Sequence, residues 1–479
     1  MAERNTLWIP GARSCGKTRE VMAPYDRTAI GEVELADEAA VETALATAHA
    51  LFRDRDGWLP AEERLGILER AAAMMAESRD ELALEAAREG GKPLGDSVVE
   101  ANRAIDSMRC AAETLRTQHG SEVPMRLNAA SSGRLAVTTH EPIGPVLAFS
   151  AFNHPINLIV HQVATAIAAG CPVIVKPAQV TPLSCLRLVR MLREAGLPDA
   201  WCMPLLPTSH ELSHKMVADP RVAFFSFIGS SGVGWMLRSK LAPGTRAALE
   251  HGGVAPVVVA ADADLDDAVP LLAKGGFYHA GQVCVSVQRV FAERAIAGKL
   301  AERLTESAEK LKVGDPTSAD TEVGPLIRPT EVQRVGQWVE EAIGAGGKKL
   351  CGGRALGETT YAPTVLLDPP DEVRVSTHEV FGPVVCVYPY DRLEDAIGRA
   401  NSLPFAFQAA VFTRDVDTAL GAARRLDAAA VMINDHTAFR VDWMPFGGLR
   451  ESGLGIGGIP HTMRDMQIEK LIVFRSRAL

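Results

Sequence analysis

The feature that most restricts what this chain can fold into is its rhythm from Pro145 to Ala260. Short apolar runs at Pro145–Ser150, Pro172–Lys176, Val222–Phe227, Ala247–Glu250 and Pro256–Ala260 read as strands. Helical stretches at Pro155–Ala169, Pro182–Ala195 and Ser231–Leu241 alternate with them. Such alternation implies a parallel sheet with both faces covered. A second α/β series runs from Leu265 to about Asn434, with helices near Arg294–Lys312 and Pro329–Gly344. Ahead of both, Glu38–Arg53 has helical spacing, and Ala61–Glu89 reads as one long amphipathic pattern ended by Gly90, Gly91 and Pro93. A third helical run covers Asp96 to Thr117. A polar hinge, Gly120–Gly133, leads into the alternating Arg134–His140. The stretch Met466–Phe474 reads as one isolated strand, which needs a sheet to join, a neighbour's included.

The length of 479 residues corresponds to three domain-sized units at about 150 residues each. A formal charge of −9 argues against nucleic acid or an anionic membrane as the main partner. The cysteines are scattered singly without a C-x-x-C pair, which favours a reducing compartment over a disulfide framework. The opening MAERNTLWIP lacks the apolar core of a signal peptide. The most apolar stretch, Pro142–Val175, is interrupted by Asn153, His154, Asn157, His161 and Gln162, so no bilayer span fits it. The expectation is a soluble, cytoplasmic protein.

Two motifs lack the context their chemistry needs. Gly11–Thr18 satisfies the G-x-x-x-x-G-K-[ST] phosphate-loop pattern, yet Pro24 follows before a helix could form, so a surface hairpin is expected. His210-Glu211-Leu-Ser-His214 fits the H-E-x-x-H zinc pattern, but the short polar segment closes at Asp219-Pro220 and no third ligand stands near it. No metal is expected.

Cys284 sits in Gly281-Gln-Val-Cys284-Val-Ser286 after an apolar helical run. Alone, that setting fits an inert buried thiol as well as a nucleophile. Glu250 ends a strand and is followed by Gly252-Gly253, which allow close approach of other groups. A carboxylate so placed can serve as a general base or as a helix cap.

Taken together, Leu249-Glu250-His251-Gly252-Gly253 and Gly281-Gln-Val-Cys284 resemble the paired active-site signatures of the aldehyde dehydrogenase superfamily. Further landmarks follow in order: Ala151-Phe152-Asn153-His154-Pro155, Val175-Lys176-Pro177-Ala178, Phe227-Ile228-Gly229-Ser230-Ser231, His378-Glu379-Val380-Phe381-Gly382-Pro383, Asn434, and Pro445-Phe446-Gly447-Gly448 through Ser452-Gly453. The resemblance covers essentially the whole chain. It implies an α/β fold with a Rossmann-like cofactor domain (1–121 and 142–252), an α/β catalytic domain (253–464) and a small β oligomerisation arm (122–141 and 465–479). A homodimer or homotetramer follows from that arm, with the isolated tail strand joining another subunit's sheet.

The resemblance also implies roles. Cys284 attacks the aldehyde, the Asn153 amide with the Cys284 N–H holds the oxyanion, and Glu250 activates the water that hydrolyses the thioester. The cofactor, NAD or NADP, falls to Phe152, Lys176, Gln179, Gly229, Ser230, Glu379 and Phe381. The family often carries Glu at the position of Gln179. A neutral amide there does not repel a 2′-phosphate, so NADP is expected to be tolerated with NAD slightly favoured. His251 and Val254 also depart from the usual residues around the glutamate.

The substrate channel implied by family position comprises His154, Asn157, Leu158, His161, Val283, Val285, Phe439, Arg440 and Trp443. Its mixture of histidines, an amide and an arginine points to a short polar or anionic aldehyde. Arg440 can bind that anion or form an ion pair with Asp442, and both readings stand. The alternatives are a coenzyme A-dependent acylating enzyme, against which Glu250 argues, and an inactive binding member, against which the intact Cys284, Asn153 and Glu250 argue.

Overall fold

A computed structural model describes residues 3–479; Met1 and Ala2, the start of the expected cofactor segment, lie outside the described residues. Two sheets organise the chain. The first has six strands in the spatial order Gly453–Leu454, Arg246–Glu250, Phe224–Ile228, Val146–Phe149, Val173–Lys176 and Cys202–Pro204. All pairs are parallel except the outer Gly453–Leu454 pair. From its central strand Val146–Phe149 the chain builds outward on one side, then returns to build on the other. That reversal opens a crevice beyond the carboxyl ends of Val146–Phe149 and Phe224–Ile228, the place where open α/β sheets bind ligands.

The second sheet has seven strands, ordered Lys348–Cys351, Thr364–Leu367, Val384–Tyr390, Arg289–Glu293, Pro256–Val259, Gln408–Phe412 and Ala430–Ile433. Its central strands are runs of Val and Ala at or near zero exposure, as a sheet covered on both faces requires. Helices Leu265–Phe277, Arg294–Lys310 and Pro329–Gly344 contribute to the same core.

Several expectations need correcting. The long pattern over Ala61–Glu89 is two helices, Ala61–Glu77 and Arg79–Gly90, separated at Ser78, whose φ of −100° and ψ of 17° leave the helical region. Residues 453–466, expected with the segment 253–464, pack with the first sheet as well as bonding to Asp442 and Phe446. Gly453–Leu454 extends that sheet, and Ile459, Met463 and Met466 sit in its core. The tail strand, Gln467–Arg475, finds its partner within the chain, pairing antiparallel with Arg134–Pro142 over nine residues. Its far edge is unpaired among the described residues, and Leu471, Val473 and Phe474 are exposed.

The phosphate-loop pattern is not followed by a helix, whereas the H-E-x-x-H pattern does fall on one. Thr18 opens a strand, Thr18–Met22, that pairs antiparallel with Ala29–Glu34, so a hairpin follows the Gly-Lys-Thr loop. His210–Ala218 is a short helix capped by the Ser209 hydroxyl, with His210 and Glu211 exposed. Among the described residues no helix is long and apolar enough to cross a membrane.

Candidate active site

The crevice at the first sheet continues into a cavity of about 900 Å³ that is also lined by loops of the second α/β series, at Gln282–Val285 and at Glu379 and Phe381. Cys284 faces it from a loop that the backbone holds under tension. His279, Ala280 and Gly281 are all left-handed, with φ of 48°, 54° and 70°. Two non-glycine residues in that region cost energy and persist only when the surroundings impose them. The third must be glycine, because a Cβ on Gly281 would lie 2.1 Å from the Gly382 carbonyl oxygen. The loop is pinned beyond this turn by Gln282, whose side chain donates to the His279 and Pro325 carbonyls and accepts from the Ile327 N–H.

Asn153 joins the two sheets at this point. Its Nδ2 donates to the Gln282 carbonyl oxygen at 2.9 Å, which leaves the second N–H of the amide for the cavity that Asn153 and Cys284 both line. Burial pushes the Cys284 thiol well above its ordinary range, the Glu250 carboxylate raises it further, and Arg440 opposes both. The resting sulfur is therefore a thiol, and a nucleophilic role requires its proton to leave.

Glu250 ends its strand at the cavity, and its Oε1 is 3.5 Å from Arg440 Nη1. It also lines a second, small cavity of about 30 Å³ with His161, Ser226 and Thr462. Arg440 lies with its guanidinium carbon 3.5 Å from the centre of the Phe446 ring. Arg103, from the helix Leu94–Thr117, lines the main cavity as well.

The sheet-edge end has a different texture. Phe149, Phe227, Val233, Met236 and Leu237 form an apolar slot that also admits Lys176. The Lys176 ammonium stands 5.0 Å from the centre of the Phe149 ring, and burial, with Arg19 nearby, brings its pKa down to about 8. Gly229 and Ser230 lead into the helix Ser231–Arg238, whose first N–H groups face the crevice side of the sheet. Phe152 meets Phe381 edge-on at 5.9 Å, and Phe381 itself is left-handed at φ 46°. Glu379 is pressed over Gly252, where a Cβ would lie 1.6 Å from its Oε1. That Oε1 is buried with no hydrogen-bond partner, and burial raises the carboxyl pKa to about 8. A slot for a flat base, a buried ammonium, a helix start and an orphaned carboxylate oxygen together fit a dinucleotide.

Of the residues expected from the sequence, Cys284, Glu250, Asn153, Phe152, Lys176, Gly229, Ser230, Glu379, Phe381, His154, Asn157, Leu158, Val283, Val285 and Arg440 all line this one cavity. Four do not. Gln179 falls in the turn after Lys176, where Ala178 takes the lining position. His161, one helical turn beyond Asn157, lies a layer deeper with its Nε2 2.8 Å from Asp442 Oδ1. Phe439 and Trp443 are 43 % and 59 % exposed. The loop there alternates, turning Ala438 and Arg440 to the cavity and Phe439 outward. Arg103, Tyr278, Ser213 and His214 are lining residues that the sequence reading lacks. For Arg103 a signal existed: Ser97, Glu100, Arg103 and Ser107 make a polar stripe at helical spacing on an otherwise alanine-rich buried face.

A sheet with a dinucleotide crevice at its switch point, sharing one cavity with a thiol and a carboxylate, defines a nicotinamide-dependent oxidoreductase of two α/β domains. The chain belongs to the aldehyde dehydrogenase family, whose model matches residues 8–472. It is 36% identical over 468 residues to a 3-sulfolactaldehyde dehydrogenase of Priestia aryabhattai, covering 98% of this chain and 97% of that one. Among solved structures it superposes on aldehyde dehydrogenase 21 from Physcomitrella patens, in complex with the reaction product succinate, with a TM-score of 0.94 and 33% identity, covering 99% of both chains. It also matches the glyceraldehyde-3-phosphate dehydrogenase GapN of Methanocaldococcus jannaschii complexed with NADP, with a TM-score of 0.91 and 34% identity, covering 96% of this chain and 100% of that one.

Proposed function

We propose that this enzyme oxidises a short aldehyde bearing an anionic group to the corresponding carboxylic acid, with NAD or NADP as hydride acceptor. The observation that carries the reading is the convergence of Cys284, Asn153, Glu250, Arg103 and Arg440 on one cavity. The named relatives support it: one acts on a sulfonated aldehyde, and another holds succinate as product.

In this mechanism Cys284 gives up its proton and its sulfur adds to the aldehyde carbon. The free N–H of the Asn153 amide and the Cys284 backbone N–H receive the oxygen as it becomes negative. The nicotinamide, when bound, supplies the acceptor for the hydride, and Lys176, Glu379 and Phe381 are the residues that would hold the cofactor. The acyl group remains on Cys284 as a thioester. Glu250 takes a proton from a water molecule, whose oxygen attacks the acyl carbon, releasing the acid and the thiolate. The retained Glu250 favours hydrolysis over transfer to coenzyme A. The exposed edge of Gln467–Arg475 would serve as the arm that pairs subunits.

The test is an aldehyde panel with reduced-cofactor formation and acid release followed together, in the absence of coenzyme A. Succinate semialdehyde and sulfonated or phosphonated short aldehydes should show kcat/KM at least about tenfold above glycolaldehyde, hexanal and benzaldehyde. Preference for hexanal or benzaldehyde overturns the substrate reading, and a strict requirement for coenzyme A overturns the hydrolytic step.

A further inference from the structure

Asp442 is almost fully buried, at the meeting point of two helices and the loop that carries Arg440. Arg103 gives it two bonds, Nε to Oδ2 at 3.0 Å and Nη2 to Oδ1 at 2.7 Å. Asn157 Nδ2 donates to Oδ1 at 3.1 Å, and His161 Nε2 lies 2.8 Å from the same oxygen. Arg440 Nε stands 3.5 Å from Oδ1 as an ion pair. The Asn157 amide is oriented in turn by the Ser107 hydroxyl, which donates to its Oδ1 at 3.0 Å.

Every neighbour of Asp442 presents N–H groups to it, so the position demands a group that only accepts. Burial alone would raise the carboxyl pKa; the His161 contact, followed by the Arg103 and Arg440 charges, more than reverses that and keeps it ionised. The carboxylate also settles the His161 ring. With Nε2–H donating to Asp442, the bare Nδ1 faces Arg440 Nη2 at 3.4 Å as an acceptor. Burial and the Arg440 charge both hold His161 in this neutral form. One carboxylate thus contacts two guanidinium groups that line the cavity, Arg103 through two hydrogen bonds and Arg440 through an ion pair, with Glu250 3.5 Å from the far side of Arg440.

We propose that Asp442 is the positioning residue of the substrate-anion site, holding Arg103 and Arg440 side by side so that their remaining N–H groups receive the charged end of the aldehyde. This rests on the reading of an anionic substrate given above. An asparagine in its place would turn an N–H₂ group toward donors, so the conservative replacement breaks the cluster rather than imitating it.

The experiment compares full-length wild type with Asp442→Asn, using succinate semialdehyde and the uncharged glycolaldehyde as substrates. For the variant, KM for succinate semialdehyde should rise by about tenfold or more relative to KM for glycolaldehyde. The dissociation constant for succinate, measured by calorimetry on the enzyme alone, should rise in parallel. Equal losses on both aldehydes, or none on either, overturn the proposal. A wild type indifferent to substrate charge removes the anionic reading and this proposal with it, whereas a charge-selective wild type with an unaffected variant removes this proposal alone. Should Asp442→Asn fail to fold, Arg103→Gln serves. It removes one guanidinium while still donating to Asp442, and should raise KM for succinate semialdehyde selectively by about fivefold.

Discussion

At the Arg440 end of the cavity Asp442 takes hydrogen bonds from Arg103, Asn157 and His161, and Arg440 Nε, 3.5 Å from it, is the buried polar atom there without a hydrogen-bond partner. At the sheet-edge end Glu379 Oε1 and His251 Nε2 are both buried without a partner. The first arrangement engages both Asp442 oxygens before anything binds and fixes Arg103, Asn157 and His161. The second leaves donors and acceptors unspent, at an energetic cost that a ligand can recover.

Three substitutions bear on this contrast. The largest effect belongs to the residue between the two ends: Cys284→Ala should lower kcat by about 10³-fold or more. Cofactor affinity by calorimetry should be unchanged, because the orphaned groups at Glu379 and His251 are untouched. A large loss of cofactor affinity would show that the ends are not independent. Next, Glu250→Gln should release about one equivalent of reduced cofactor per site and then stall, with steady-state turnover down by about 10²–10⁴-fold. The same change removes a negative charge that raises the Cys284 thiol, so iodoacetamide should alkylate the resting enzyme faster than wild type. Slower alkylation would instead make Glu250 the base that activates the thiol.

The smallest effect tests the unspent end. The folded-state pKa of Glu379 is raised from 4.5 to about 8, so its contribution to stability is greatest below the unfolded value and declines as pH rises through that window. Glu379→Gln escapes that decline. Its melting temperature relative to wild type should improve between pH 5 and pH 8.5 by about 1–3 °C, while cofactor binding weakens. A constant difference across pH would mean that the carboxyl is already ionised in the folded protein.

Much of the site was readable because the chemistry is carried by short local patterns. Asn153, Lys176, Glu250, Cys284, Glu379 and Phe381 each stand inside a motif whose glycines or prolines shape the backbone around them. Arg103 carries no such mark. Its partner Asp442 is 339 residues away, and no local pattern records a contact of that span. Leu158 and His161 look equivalent in sequence, both following Asn153 on one helix, yet one faces the cavity and the other a buried carboxylate. The break at Ser78 was hidden for a related reason, since Ala61–Glu77 and Arg79–Gly90 share one apolar periodicity and only the backbone turn divides them. The alternation of strands and helices located both sheets. It could not show that residues 453–466 return to the first of them, because that return is decided by packing against Met463 and its neighbours.

The pairing of Gln467–Arg475 with Arg134–Pro142 has a consequence for how the chain is made. The strand Arg134–Pro142 emerges from the ribosome roughly 330 residues before its partner exists. The outer strand Gly453–Leu454 closes the first sheet almost as late. Until synthesis reaches them, Leu135 and Val137 lack their native neighbours and the sheet has a raw edge. The second sheet, contained between residues 256 and 433, has no such wait. The half that begins first is therefore finished last, and an uncovered strand edge accompanies the chain until its final residues are made.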